Sequence, residues 1–214
     1  MVKRILFSIF LLTLLILPAN ADNILPKKMS DINAGAIGLY QLPLKTSVYQ
    51  KPDVKSDIIY QVNWDYKSFN ASDDNKADNF FTVLIQDKEL AYVQVSDYIE
   101  DWVEIIYDKA NNKRGWVQAE DLRFMPWRAF YNMYGRKYGL YYFANIPREN
   151  KKIHSSTEEN SQIIDNIEKP LKIKLTVIKG NWALVTAIEN NVGKSGYIQW
   201  RNDNGDIYLF PAIK

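Results

Sequence analysis

Cysteine is absent from this chain of 214 residues, and histidine occurs once, at His154. The missing cysteine excludes a disulfide framework, a thiolate zinc site and a thiol nucleophile. A Ser-His-acid relay would depend wholly on His154, and no base-nucleophile constellation surrounds it in the sequence. Glycine is scarce, at 9 residues, whereas tyrosine (14) and tryptophan (6) are abundant. Aromatic side chains suit the pleated, half-buried surface of a strand, so this balance points to a β-rich protein stabilised by core packing.

The first 21 residues read as a secretory signal peptide. Lys3 and Arg4 precede a 13-residue, almost unbroken apolar run from Ile5 to Leu17, Pro18 ends it, and Ala19-Asn20-Ala21 has the small-x-small form of a cleavage site. The run falls short of the ~20 apolar residues that span a bilayer. Without Lys3 and Arg4 the remainder carries 25 basic and 25 acidic residues. A neutral chain has no global attraction to nucleic acid or anionic lipid. The expected compartment is outside the cytoplasm, the periplasm before free secretion, with no membrane span after cleavage.

Residues 22–36 are polar with scattered apolar positions and read as a flexible leader. Ile37–Tyr40 suggests a first strand. Val48-Tyr49 leads into a turn, Gln50 to Asp57, whose Pro and Asp favour reversal. Ile58 to Val62 is a strand, Asn70 to Asn79 a polar loop, Phe80 to Gln86 strand-like, and Ala91 to Val95 a further strand. Trp102 to Gln118 forms a hairpin. Met125 to Phe143 is dense in rings, with no clean helical stripe; Gly135 and Gly139 argue there for a joint and an entering strand. Pro170 to Ile178 alternates, with Leu171, Ile173, Leu175 and Val177 on one face. A second Trp hairpin begins at Trp182, Asn204-Gly205 marks a turn, and Ile207 to Phe210 is the last strand.

The chain repeats itself. Val48, Ser56, Ile58 and Ile59 fall on Ile153, Ser161, Ile163 and Ile164 at an offset of 105, Trp102 falls on Trp182 at 80, and Gly115-Trp116-Val117-Gln118 falls on Gly196-Tyr197-Ile198-Gln199 at 81. One insertion of about 25 residues in the first copy, at 64–90, accounts for the change of offset, which favours a duplication.

The order of apolar-aromatic pair, polar loop, Ser-x-Ile-Ile strand, Trp-apolar strand and Gly-aromatic-apolar strand resembles the bacterial SH3-like (SH3b) domain. The resemblance implies two tandem small SH3-like β-barrels, residues 37–124 and 139–214, joined by an aromatic-rich linker at 125–138. The chain departs from the family pattern at Ser47-Val48-Tyr49 and Lys152-Ile153-His154, where an Asn-Val-Arg-type opening is usual, and in the insertion. The resemblance further implies a non-catalytic binding module of the cell envelope, taking cell-wall peptide or glycan or an envelope protein, with no cofactor.

The candidate ligand-binding residues are Trp116, Tyr197, Trp102, Trp182 and Tyr49. Rings offer wide contact at low entropic cost, and sugars and prolines stack on them. Core and groove are balanced for Trp116 and Tyr197; core is favoured for Trp102 and Trp182, each of which starts an alternating strand. His154 stands where the first copy has Tyr49 and reads as a ring position. Asp73, Asp74 and Asp78, or Asp203 and Asp206, offer oxygens but lack the calcium-loop spacing, so they read as a solvated loop and a turn. No catalytic or metal site is expected. The rings of the joint, Trp127, Tyr131 and Tyr134, are expected to pack between the halves rather than lie exposed.

Overall fold

A computed structural model describes residues 23–214 apart from 66, 67, 75, 121 and 159. The segment read as a signal peptide lies outside the described residues. The first half contains β1 (Gly38–Gln41), β2 (Lys45–Tyr49), β3 (Ile58–Trp64), β4 (Phe69–Ala71), β5 (Val83–Ile85), β6 (Leu90–Ile99), β7 (Trp102–Asp108), β8 (Lys113–Gln118) and β9 (Phe124–Pro126). The second contains β10 (Leu140–Tyr142), β11 (Lys152–His154), β12 (Ile163–Asn166), β13 (Lys172–Lys179), β14 (Trp182–Glu189), β15 (Val192–Gln199) and β16 (Leu209–Pro211).

Each half forms one antiparallel sheet, and the two sheets share an order. Setting aside the insertion's β4 and β5, the first runs β3-β2-β8-β7-β6-β1-β9 and the second β12-β11-β15-β14-β13-β10-β16. Two of the irregularities repeat as well, whereas a third, between Ile106 and Asp108, occurs in the first half alone. The register shifts between Val48 and Tyr49 and again between Ile153 and His154, and between Val95 and Asp97 and again between Leu175 and Val177. The Leu175 bulge alters the expected alternation of β13. One extra residue flips the faces beyond it, so Ile178 is buried and Val177 turns outward. Leu171, expected to face inward, is exposed.

Gly115 and Gly196 explain why the repeat keeps glycine. A Cβ on Gly115 would lie 2.5 Å from Val48 Cγ1 and 2.9 Å from Ile59 Cδ1; one on Gly196 would lie 2.4 Å from Ile153 Cγ2 and 3.1 Å from Ile164 Cδ1. In both halves the first strand crosses so closely that only a hydrogen fits.

The expected closed barrels are not formed: each sheet is an open path. In the second half, the chain after β12 turns to β13, with the Ile167 N–H donating to Lys151 O and the Leu171 N–H to Ile188 O. Side chains then cap the backbone that follows β12. Lys194 Nζ donates to Asn166 O at 2.8 Å, and the Glu189 carboxylate accepts the N–H groups of Glu168 and Lys169 at 2.9 and 2.6 Å. In the first half β4 covers the edge of β3, pairing Ala71, Asn70 and Phe69 with Val62, Asn63 and Trp64. The insertion also holds a short helix, Ala77–Phe80, in place of part of the expected Phe80–Gln86 strand. Its rings pack together and against the sheet: Phe69 meets Phe80 at 5.4 Å and Phe81 at 5.2 Å, and Phe80 stacks on Tyr60 of β3 at 5.9 Å.

The ring-rich joint is helical, where no helical stripe was legible, and the entering strand follows it as β10. Residues 127–138 run as an α-turn, a π-turn and a second α-turn. Within the helix position 135 takes glycine because a Cβ there would lie 2.9 Å from Leu175 Cδ2; Gly139 ends the helix at φ +86°. Trp127, Phe130, Tyr131 and Tyr134 are buried and continue the second-half core into Leu39, Val83, Ile85 and Tyr92 of the first half. Two polar contacts within it are met: the Tyr92 and Tyr134 hydroxyls share a 2.6 Å hydrogen bond, and Trp127 Nε1–H donates to Ala36 O at 2.6 Å. A separate cluster fills the first half around Tyr40, Trp64, Val93 and Ile105.

Residues 23–36, expected to be a flexible leader, are a strap across both halves. Ile24 pairs with Leu84, Ala144 N–H donates to Lys27 O, and the buried Gln94 amide bridges Asn33 N–H and Asp31 O. Its apolar anchors, Ile24, Ile32 and Ala36, are too widely spaced to show either period in sequence. Among the described residues, no helix is long and apolar enough to cross a membrane.

Candidate functional site: two equivalent ring ladders

On β7, Val103 and Ile105 point into the core, which turns Trp102 and Glu104 to the other face. Trp116 on β8 lies opposite Glu104, and Tyr49 on β2 lies opposite Trp116. Asp97 on β6 completes the row beyond Glu104. The twist of the sheet brings Tyr49 edge-on to Trp102, with ring centroids 5.4 Å apart at 88°. The second half repeats this. His154 lies opposite Tyr197, Tyr197 opposite Leu184, and Leu184 opposite Val177. His154 meets Trp182 edge-on at 5.0 Å and 67°.

All five sequence-nominated residues, Tyr49, Trp102, Trp116, Trp182 and Tyr197, are therefore half-buried on the outer faces of the sheets, together with His154. Three fall in one ladder; two, with His154, fall in the other. Trp102 and Trp182, favoured for the core, instead lie half-buried on the outer face, each in an edge-to-face pair with a neighbouring ring. Trp127, Tyr131 and Tyr134 are buried.

The ladders share rings and differ in charge. The first row ends in the facing carboxylates Glu104 and Asp97, where the second has Leu184 and Val177. Like charges directly opposite each other on a sheet are unfavourable. Arg114, 3.7 Å from Glu104, offsets part of that cost, and Ser96 Oγ donates to Glu104 at 2.6 Å. In the diagonal row Trp102 faces Ile99, whereas Trp182 faces Lys179. Lys179 Nζ donates to the Tyr197 hydroxyl at 3.1 Å. These flanking residues escaped the sequence reading, although the offset of 80 that joins Trp102 to Trp182 also joins Glu104 to Leu184.

His154 Nδ1 lies 3.2 Å from Ser161 Oγ, and Ser161 donates to Ser156 O. No carboxylate is bonded to the imidazole among the described residues, so the orienting third group of a relay is missing there. Asp203 accepts from Asn181 in the β13–β14 turn and Asp206 from Asn202 within its own turn, so both carboxylates are engaged. Among the described residues, no three metal-ligating side chains cluster. At the far hairpin tip Asp108 is buried. Burial alone would raise its pKa, but hydrogen bonds from Asn111, Asn79 and Lys113 outweigh it and hold the carboxyl well below the usual range.

No family model matches this sequence, and no curated protein matches it either.

Proposed function

We propose that this chain is an exported, non-catalytic binding module of the cell envelope, built from two SH3-like units, whose ring ladders hold cell-wall peptide or glycan. The observation that carries the reading is the repetition of the half-buried rings: Tyr49, Trp102 and Trp116 in one half and His154, Trp182 and Tyr197 in the other, at matching strand positions. Half-burial is common for Trp and Tyr, so it is their recurrence at equivalent positions that supports the reading. These rings keep part of their surface in solvent on rigid strands, where a sugar face or an extended peptide can stack without reordering the protein. The periplasm is the expected compartment, and neither nucleic acid nor a cofactor is part of the reading.

A second reading is an assembly protein that binds another envelope or host protein. The change from Glu104 and Asp97 to Leu184 and Val177 favours it, because a repeating polymer does not require two differently charged ladders.

Co-sedimentation of residues 22–214 with purified peptidoglycan separates them. Saturable binding that is lost in the W116A/Y197A double variant, with an unchanged circular dichroism spectrum, supports the wall reading. No sedimentation of the unaltered protein removes it for the wall tested and leaves the assembly reading. Release of soluble wall fragments during incubation would overturn the non-catalytic claim.

A further inference from the structure

The two halves share a second feature, a groove beside β2 and β3 and beside their counterparts β11 and β12. In the first half it is about 530 Å³ and lined by residues 45–47, 61–63 and the insertion's 70–72. In the second it is about 460 Å³ and lined by 148–149, 151–152 and 166–169. The offset of 105 that relates Val48 to Ile153 carries 45–47 to 150–152 and 61–63 to 166–168. This is one groove, present twice.

Its chemistry has diverged. The first groove contains a single charged lining residue, Lys45. The second contains Arg148, Lys151, Lys152 and Lys169, with Glu149 and Glu168 between them. None of these four cations has an ion pair among the described residues. The neighbouring carboxylates Asp165 and Glu189 are both taken by Lys194, at 2.9 and 3.2 Å, and Lys151 Nζ rests 5.6 Å from the Tyr142 ring centroid. The imbalance extends to the whole half. Residues 22–124 carry 12 Lys and Arg against 17 Asp and Glu, and residues 125–214 carry 13 against 8, so the halves are charged −5 and +5.

The first half also shows what shape the place accepts. There β4, an extended segment, runs antiparallel beside Val62–Trp64 and supplies one wall of the groove. The second half has no such insertion; there Glu189 accepts the N–H groups of Glu168 and Lys169 and Lys194 donates to Asn166 O, so a segment lying along this groove meets charged side chains rather than free strand backbone.

We propose that the second-half groove is a docking site for an extended, acidic segment of a partner protein. Carboxylates on alternate residues of a strand would face Lys151 and Lys152 on one side and Arg148 and Lys169 on the other. Glu149 and Glu168 break up the cationic lining. They disfavour a polyanion charged at every unit and suit a chain whose carboxylates are separated by neutral residues. Ile163 and Ile164 on β12, 46% and 47% exposed, give the segment apolar contact beyond the charges. This inference is independent of the ring ladders.

The test is fluorescence anisotropy of a labelled peptide with alternating Glu and Val, titrated with residues 22–214. Saturable binding is expected. It should weaken about tenfold in K151E/K152E, and similarly when sodium chloride rises from about 0.05 to 0.5 M. It should be unchanged in K45E, which recharges the first groove. R148A/K169A, away from β11, provides a second variant should K151E/K152E fail to fold. No binding, equal weakening by K45E, or equal binding of the peptide with Lys in place of Glu would overturn the proposal. Tighter binding of inorganic polyphosphate would show a general anion site and overturn the peptide assignment. Concentration-dependent self-association abolished by K151E/K152E would name a second copy's acidic half as the occupant and overturn the separate partner.

Discussion

The two halves of this chain have the same strand order, the same two bulges and the same glycine under the same three neighbours, yet they close their sheets differently. In the second half Lys194 and Glu189 reach across and take the outward backbone groups of residues 166–169. In the first, an inserted strand covers the edge of β3, and the insertion's rings pack together. An exposed sheet edge is a hazard that must be covered. About 25 residues of extra chain cover β3 in the first half, whereas in the second two charged side chains cap only the backbone that follows β12; the seven strands behind keep the same order in both. What the insertion brings besides cover is a wall to one groove, and the other groove, without it, is cationic.

The comparison is most severely tested at the linker helix, which belongs to both halves. Phe130 is fully buried and touches Tyr92 on one side and Phe210 on the other. F130A should cost about 3–5 kcal/mol and lower the urea midpoint of both halves together. Separate transitions, read by near-ultraviolet and far-ultraviolet dichroism, would mean that the halves are independent. Next in size, G115A and G196A should each cost about 3 kcal/mol through overpacking, because the clashes they create involve equivalent atoms. Clearly unequal losses in urea unfolding would show that the two crossings are not the same.

Asp108 distinguishes the halves: it lies opposite Lys113, where the second half sets Ala187 opposite Lys194. It ties the insertion to the hairpin through Asn79 Nδ2 at 2.8 Å and pairs with Lys113 at 3.3 Å. D108N should cost about 2 kcal/mol near neutral pH by weakening a buried hydrogen-bond network. Because its folded-state pKa is depressed, the unfolded chain binds the extra proton first as the solution is acidified. The stabilisation is therefore present above about pH 4 and lost progressively below it. The gap in melting temperature between the unaltered protein and D108N should shrink from pH 6 to pH 3; a constant gap would refute the assignment. The smallest effect is expected from K194A, which uncaps the backbone that follows β12. Lys194 is held protonated by Asp165 and Glu189, with pKa values shifted accordingly, up for the lysine and down for both carboxylates. The loss of melting temperature should fade with added salt, as expected for a solvent-accessible network.

Much of this was legible in the residues. The duplication, its offsets and the position of the insertion were visible because equivalent apolar and glycine positions recur at fixed spacing. The linker helix was not. Gly135 and Gly139 look like breakers along the chain, but Gly135 is there because Leu175 presses against the helix from a strand some 40 residues away. The strap at 23–36 was missed for a related reason: its contacts are mostly backbone hydrogen bonds to distant segments, which leave no periodic trace. The ring ladders were half legible. Alternation told that Trp102 and Val103 face opposite ways, but not which of the two faces the core.

The sequence by itself determined the strand-rich character, the tandem repeat and which residues carry rings, since these follow from local propensity and from period. Tertiary structure alone decided which face of each strand is wet, that Tyr49 meets Trp102 as His154 meets Trp182, and that the sheets stay open. The physical reason is that these outcomes depend on register and on close approach between segments far apart in the chain. A single bulge, as at Leu175, reverses every side chain beyond it.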